Sequence, residues 1–201
     1  MNSVDPRPEA DCAPGNEGTG YEEFALPGRT IALVGMMGAG KSAIGRQLAM
    51  MTGRAFIDAD NEIERAADCT IAEIFERYGE PYFRDGERRV ISRLLELPPC
   101  ILATGGGSFI NEETRGIIQA HAISVWLNAD FDTLWDRVSR RTHRPLLKTD
   151  NPKQTLRDLM AARYPIYALA DVTVETYDAP KEETARRTLE AIAEQAGQDC
   201  Q

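Results

Sequence analysis

Apolar and polar positions along this chain alternate between two spacings. Five short, largely aliphatic runs, Thr30–Gly35, Arg54–Asp58, Cys100–Thr104, Ala122–Leu127 and Asp171–Glu175, read as buried strands. Between them the apolar residues recur at helical spacing. Ser42–Met51 is one such stretch; Tyr82–Leu97, stopped by Pro98-Pro99, is another. Phe131–Arg141, Pro152–Tyr164 and Pro180–Gln195 follow the same spacing. Thr70-Ile71-Ala72-Glu73 is a capping box that opens a short helix, and Asn111 caps one running through Ala120. Strands alternating with helices predict an α/β domain: a five-stranded parallel sheet flanked by helices, in three layers. Ligands of such a sheet gather at the carboxyl ends of its strands.

The pattern also bounds the domain. Residues 1–28 are rich in turn formers and poor in apolar side chains, which predicts a disordered N-terminal tail, with Tyr21–Leu26 amphipathic enough to dock. The folded domain is expected over 29–196, with 197–201 as a short C-terminal tail. The N-terminus has no basic segment leading into an apolar one, and no apolar run is long enough for a membrane span. Cys12, Cys69, Cys100 and Cys200 have no C-x-x-C spacing. These features predict a cytoplasmic protein with free thiols, no membrane partner and, with one ordinary domain, a monomer.

Net charge is −9, which disfavours nucleic acid as a partner. An acidic protein that binds anions must concentrate its cations in one cleft. The 23 basic residues include only four lysines, so the cations are mostly arginines, suited to forked recognition of carboxylates and phosphates.

One of those four lysines carries the strongest chemical signal. Gly35-Met36-Met37-Gly38-Ala39-Gly40-Lys41-Ser42 matches G-x-x-x-x-G-K-[ST], a loop whose N–H groups cradle phosphates. It follows a buried strand and precedes a helix, the setting that gives the loop its function. Gly38, Ala39, Gly40 and Ala43 are candidate backbone contacts to ATP. Lys41 reaches the β- and γ-phosphates, and the Ser42 hydroxyl is placed for Mg²⁺.

Three further features point into the same cleft. Asp58-Ala59-Asp60 ends the second strand; acids at i and i+2 on a strand point the same way, one toward a metal and the other toward a substrate hydroxyl. The alternative is a pair of helix caps ahead of Asn61-Glu62-Ile63-Glu64. Gly105-Gly106-Gly107 follows the third strand and invites close approach of a ligand to the backbone. Arg84, Arg144 and Arg163 can each clamp a carboxylate or phosphate, although each can equally be a surface residue. The polar, proline-bearing run Thr142–Asn151 lies where a phosphotransferase carries a mobile lid, with Arg140 or Arg141 just before it in reach of the nucleotide.

Taken together, GMMGAGKSAIGRQLA (Gly35–Ala49), FIDADNEIE (Phe56–Glu64), FRDGE (Phe83–Glu87), LATGGGS (Leu102–Ser108), RPLL (Arg144–Leu147) and RYPIY (Arg163–Tyr167) closely resemble the shikimate kinases. The resemblance runs from Gly28 to about Ala193 and implies a P-loop kinase fold with a mobile lid. It implies transfer of the γ-phosphoryl group of ATP to the 3-hydroxyl of shikimate, with Mg²⁺ as cofactor, on the route to chorismate and the aromatic amino acids. It also implies roles. Lys41, Asp60 and Arg144 serve catalysis, and Asp60 binds shikimate hydroxyls. Arg84 and Arg163 hold its carboxylate, Gly105, Gly106 and Gly107 line that pocket, and Ser42 and Asp58 face the metal. In this family an arginine upstream of the lid stacks on adenine; Arg140 and Arg141 both fit, and Pro180 falls near the other adenine face. Other readings are a gluconate kinase-like enzyme or nucleoside monophosphate kinase, and a non-catalytic nucleotide-binding shikimate sensor.

Overall fold

A computed structural model describes residues 26–140 and 149–198. Its five strands are β1 (Thr30–Val34), β2 (Phe56–Asp58), β3 (Ile101–Ala103), β4 (Ala122–Ala129) and β5 (Val172–Thr176). They form one parallel sheet in the order β2-β3-β1-β4-β5. The seven described helices are α1 (Lys41–Thr52), α2 (Ala59–Ala67), α3 (Ile71–Leu95), α4 (Glu112–His121), α5 (Phe131–Ser139), α6 (Pro152–Tyr167) and α7 (Lys181–Gln198). All five expected strands are present, each within about two residues of its expected ends. Ile31, Leu33, Ile101, Leu102, Val125 and Leu127 are fully buried or nearly so, as strands covered on both faces require.

The order of the sheet determines where the site forms. β1 is central, with β3 on one side and β4 on the other. The carboxyl ends of β1, β3 and β2 therefore lie side by side, bringing together the phosphate loop, the triple glycine and Asp58. Gly40 caps α1 in the left-handed region (φ 99), which a residue with a Cβ adopts only at a cost. Gly45, in the middle of α1, lets that helix lie close on the sheet.

Three expectations change. Asp58 closes β2 and caps α2, its carboxylate accepting from the Asp60 N–H at 3.2 Å. Asp60 stands on the first turn of α2, so the strand geometry read for this pair does not hold; of the expected pair of caps only Asp58 is one, and both acids line the phosphate cavity. The capping box at Thr70 forms as expected. The helix it opens is short, as expected: non-helical Gly79 (φ 78, ψ 175) divides α3 into a first piece and a second that carries Tyr82 to Leu95. At the domain's edges, α7 runs on to Gln198. Leu26 packs against the core, and the Pro27 carbonyl accepts from Arg54 at 2.7 Å, so the end of the expected tail is held on the domain. Residues 1–25 and 141–148, which include Arg141, Arg144 and most of the run Thr142–Asn151 expected to form a lid, lie outside the described residues.

A Cβ added at Gly45 would stand 2.5 Å from the Phe56 ring and 3.2 Å from Leu33. Gly45→Ala gains helix propensity of about 1 kcal/mol, yet overpacks a buried contact at a typical cost of about 1–3 kcal/mol. The expected outcome is net destabilisation, read as a lower urea midpoint with an unchanged slope; a midpoint at or above wild type would mean that α1 has room to move off the sheet.

Candidate active site

The phosphate loop is built as its sequence requires. Lys41 lies at the start of α1 and turns back over the loop, donating from Nζ to the carbonyls of Gly35 at 2.8 Å and Met36 at 3.0 Å. Ser42 donates its hydroxyl to Asp58 Oδ2 at 2.7 Å. Gly38, Gly40, Lys41, Ser42 and Ala43 line a cavity of about 320 Å³ that also takes in Asp58, Asp60 and Gly106. Ala39 is fully buried beneath the loop. The Ser42–Asp58 pair offers a hydroxyl and a carboxylate oxygen beside the phosphate loop, the hard donors Mg²⁺ prefers. No cluster of three His, Cys, Asp or Glu side chains suited to a metal occurs among the described residues. Such a site suits an ion that keeps its waters and arrives with a nucleotide's phosphates.

The triple glycine forms the opposite wall. A Cβ on Gly105 would stand 2.8 Å from Glu87 Oε1 and 2.9 Å from Asp60 Oδ1, so two carboxylates converge on bare backbone. A Cβ on Gly107 would stand 2.5–2.7 Å from the Arg84 guanidinium, which lies against that peptide. Gly106 faces the phosphate cavity, whereas Gly107 faces a second, more open one of about 660 Å³ together with Arg84 and Arg163. The loop thus separates a phosphate-facing chamber from one lined by arginines.

Arg84 is held by its neighbours. It donates from Nη1 to Glu87 Oε2 at 2.6 Å, and Glu87 accepts from the Ser108 hydroxyl at 2.7 Å through its other oxygen. Burial pulls the guanidinium pKa down, but Glu87 and Glu80 outweigh it, so Arg84 is held charged more firmly than usual. Arg163, on α6, donates to the Gly106 carbonyl at 3.4 Å. The fully buried Tyr167 donates its hydroxyl to that same carbonyl. Burial pushes the Tyr167 pKa up to about 12, so it remains a donor at neutral pH.

Asp60 has the most perturbed carboxyl of the site. Burial raises its pKa to about 6, with further upward contributions from Asp58, Glu87 and Glu64 that outweigh the downward pull of Lys41. A carboxyl near that value can accept a hydroxyl proton at neutral pH.

The structure brings Lys41, Ser42, Asp58 and Asp60 around the phosphate-facing cavity and Arg84 and Arg163 around the second, with Gly105–Gly107 as the wall between them. Arg140 points elsewhere: it is exposed and pairs with Asp136 at 2.6 Å. One turn earlier, Arg137 lines the phosphate cavity and donates toward the carbonyls of Gly38 and Ala39, at 3.4 and 3.5 Å, and to Tyr177 at 2.9 Å. Pro180 precedes α7; its neighbours Ala179 and Lys181 line the cavity. Sequence reasoning missed Glu87, Ser108, Tyr167 and Arg137. Two signals were available: Glu87 lies three residues from Arg84, and Tyr167 four from Arg163, both helical spacings that put side chains on one face.

Fold and site together define a P-loop phosphotransferase. A family model described as shikimate kinase matches residues 37–193. A shikimate kinase of Rhizobium leguminosarum bv. trifolii is 56% identical over 170 residues, 85% of this chain and 87% of that protein. One from Cereibacter sphaeroides is 51% identical over 179 residues, 89% of this chain and 90% of its own length. The solved structure of the Acinetobacter baumannii enzyme in complex with shikimate superposes with a TM-score of 0.79 at 40% identity, covering 84% of this chain and 94% of that one. A Sinorhizobium meliloti gluconokinase shares the fold alone, with a TM-score of 0.56 at 19% identity. The chain belongs to the shikimate kinase family.

The raised Asp60 carboxyl has a consequence for stability. Its proton is bound more tightly in the fold than in the unfolded chain, so the protonated form stabilises the protein below pH about 4. That contribution is lost as pH rises through about 6. Asp60→Asn is expected to be more stable than wild type at pH 7–8, by up to about 3 kcal/mol, with the gain shrinking toward pH 4. Thermal unfolding across pH reads this; equal stability at both ends would mean the Asp60 carboxylate is well solvated in the fold.

Proposed function

We propose that this chain transfers the γ-phosphoryl group of ATP to the 3-hydroxyl of shikimate, giving shikimate 3-phosphate and ADP. The observation that carries this reading is the pairing of a phosphate loop with two arginines across one glycine wall. Phosphoryl transfer requires positioning and charge neutralisation more than covalent chemistry. The phosphate loop and Lys41 hold the β- and γ-phosphates on one side. On the other, Arg84 and Arg163 fork the shikimate carboxylate, and Asp60 accepts hydrogen bonds from its hydroxyls. The acceptor hydroxyl is thereby aimed at the γ-phosphorus, and Asp60 takes its proton as the new P–O bond forms.

Ser42 and Asp58 would hold Mg²⁺ on the phosphates, where it would supply neutralisation of their charge. Arg144 joins these cations by its place in RPLL. Arg137, rather than Arg140, flanks the base of the nucleotide beside the turn at Ala179–Lys181; its place in the cavity wall, with Arg140 paired to Asp136 in solvent, supports this. Among the described residues no helix is long and apolar enough to cross a membrane. With its resemblance to a biosynthetic enzyme, this supports a cytoplasmic one.

ADP formation with shikimate, gluconate or AMP as acceptor tests the reading: turnover is expected with shikimate alone, and turnover with gluconate, or ATP hydrolysis indifferent to shikimate, would overturn it. Lys41→Met is expected to remain folded by circular dichroism while kcat drops by at least about 10²-fold, the scale of losing one transition-state charge contact. Because Asp60 must be ionised to accept the hydroxyl proton, kcat/KM should fall as pH drops below about 6; a profile flat down to pH 5 would remove Asp60 as the base.

A further inference from the structure

Arg84 meets two carboxylates that are held very differently. Glu87 is 1% exposed and tied on its second oxygen to Ser108, so it cannot leave. Glu80 is 63% exposed, and its Oε1 accepts from Arg84 Nε at 3.2 Å and Nη2 at 3.1 Å. Nε and Nη2 form the edge of a guanidinium that forks an incoming carboxylate. That edge is therefore occupied by a side chain of the protein itself. Glu80 lines the same cavity as Arg84, Gly107 and Arg163. It follows the helix break at Gly79 (φ 78) and precedes Pro81, so a local departure from helical geometry sets where it stands. The guanidinium lies against Gly107 with no room for a Cβ between, and Glu87 holds its Nη1 from the protein side.

We propose that Glu80 is a built-in competitor for Arg84, occupying the carboxylate-binding edge until the substrate's own carboxylate displaces it. This rests on the reading that Arg84 binds the shikimate carboxylate. The charges favour such an exchange. Arg84 and Arg163 together carry two positive charges, which Glu80 and Glu87 already balance. A further carboxylate added there would leave the group net negative unless one of the two gave way. Glu87 is buried and fixed, so Glu80 is the group that yields, and an exposed pair yields easily. The device sets a threshold. An anion that offers only a single charge gains little by replacing Glu80. A ligand that also reaches Arg163 and the hydroxyl-binding Asp60 gains enough to displace it. Glu80 thus trades some shikimate affinity for rejection of simple anions.

The test is Glu80→Gln, which keeps size and removes the charge. At low ionic strength its KM for shikimate should fall about two- to fivefold, the scale of one exposed ion pair, with kcat and KM for ATP unchanged. Inhibition by acetate should strengthen. Added salt should narrow the difference between variant and wild type. A shikimate carboxamide should bind both equally. Glu80→Asp, whose shorter arm holds the edge less well, should fall between them. An unchanged or raised KM in a Glu80→Gln protein of normal melting temperature would overturn the proposal and make Glu80 inert or an orienting partner of Arg84. Arg84→Gln separates this from the parent reading. If it penalises the acid far more than the carboxamide while Glu80→Gln gains nothing, only the competitor is wrong. If it penalises both equally, Arg84 does not bind the carboxylate at all and the proposal falls with that reading.

Discussion

Everything in this site depends on three consecutive residues without side chains. Gly105, Gly106 and Gly107 follow β3, next to the central strand; charged side chains press against Gly105 and Gly107 where a Cβ would stand, and the phosphate loop's backbone against Gly106. Asp60 and Glu87 converge on Gly105, and Arg84 lies on Gly107. The Gly106 carbonyl is held by Tyr167 and Arg163. A Cβ on Gly106 would lie only 3.4 Å from the Met37 nitrogen of the phosphate loop. Donor-side and acceptor-side groups are therefore in register through the main chain of a short turn that leaves the sheet at Ala103. The sheet order makes this possible, because it sets the ends of β2, β3 and β1 next to one another.

Electrostatics explains why the rest of the protein can be acidic. With a net charge of −9, the molecule as a whole does not attract its anionic ligands. Lys41, Arg84, Arg137 and Arg163 are partly buried around one cleft, where surrounding protein weakens screening and local charge dominates. The same concentration carries a cost. Asp60, Asp58 and Glu87 share that space, and burying them together raises the Asp60 carboxyl well above its ordinary range. A carboxylate that the fold holds reluctantly is one that a hydroxyl donor can relieve, so strain in the empty site favours binding.

Much of this was legible in the chain, for identifiable reasons. The phosphate loop and the strands announce themselves through local chemistry: glycines at fixed offsets, and β-branched runs that suit no other environment. Arg84 and Arg163 were visible as candidates, but nothing local distinguished them from the surface arginines around them. Burial of Glu87 distinguishes Arg84, and burial depends on how α3 packs across the end of β3, which is a tertiary fact. Asp60 was placed correctly at the cleft by the wrong geometry. A strand's two-residue period and a helix's first turn both bring positions 58 and 60 near one another, and only the capping hydrogen bond separates the two. Arg137 was passed over because proximity to the expected lid pointed to Arg140 or Arg141; the 3.6-residue period of α5 turns Arg137 inward and leaves Arg140 in solvent.

The account's central claim is that a carboxylate-bearing ligand is oriented by Arg84 and Arg163 across the glycine wall from the phosphate loop. A crystal structure of the protein with shikimate and ADP tests it most directly. The account predicts the shikimate carboxylate within hydrogen-bonding distance of both guanidinium groups, with Glu87 still bound to Arg84 and Ser108, Glu80 swung off the Nε edge, and a ring hydroxyl on Asp60. A carboxylate bound away from both arginines, with Glu80 still seated on Arg84, would contradict it.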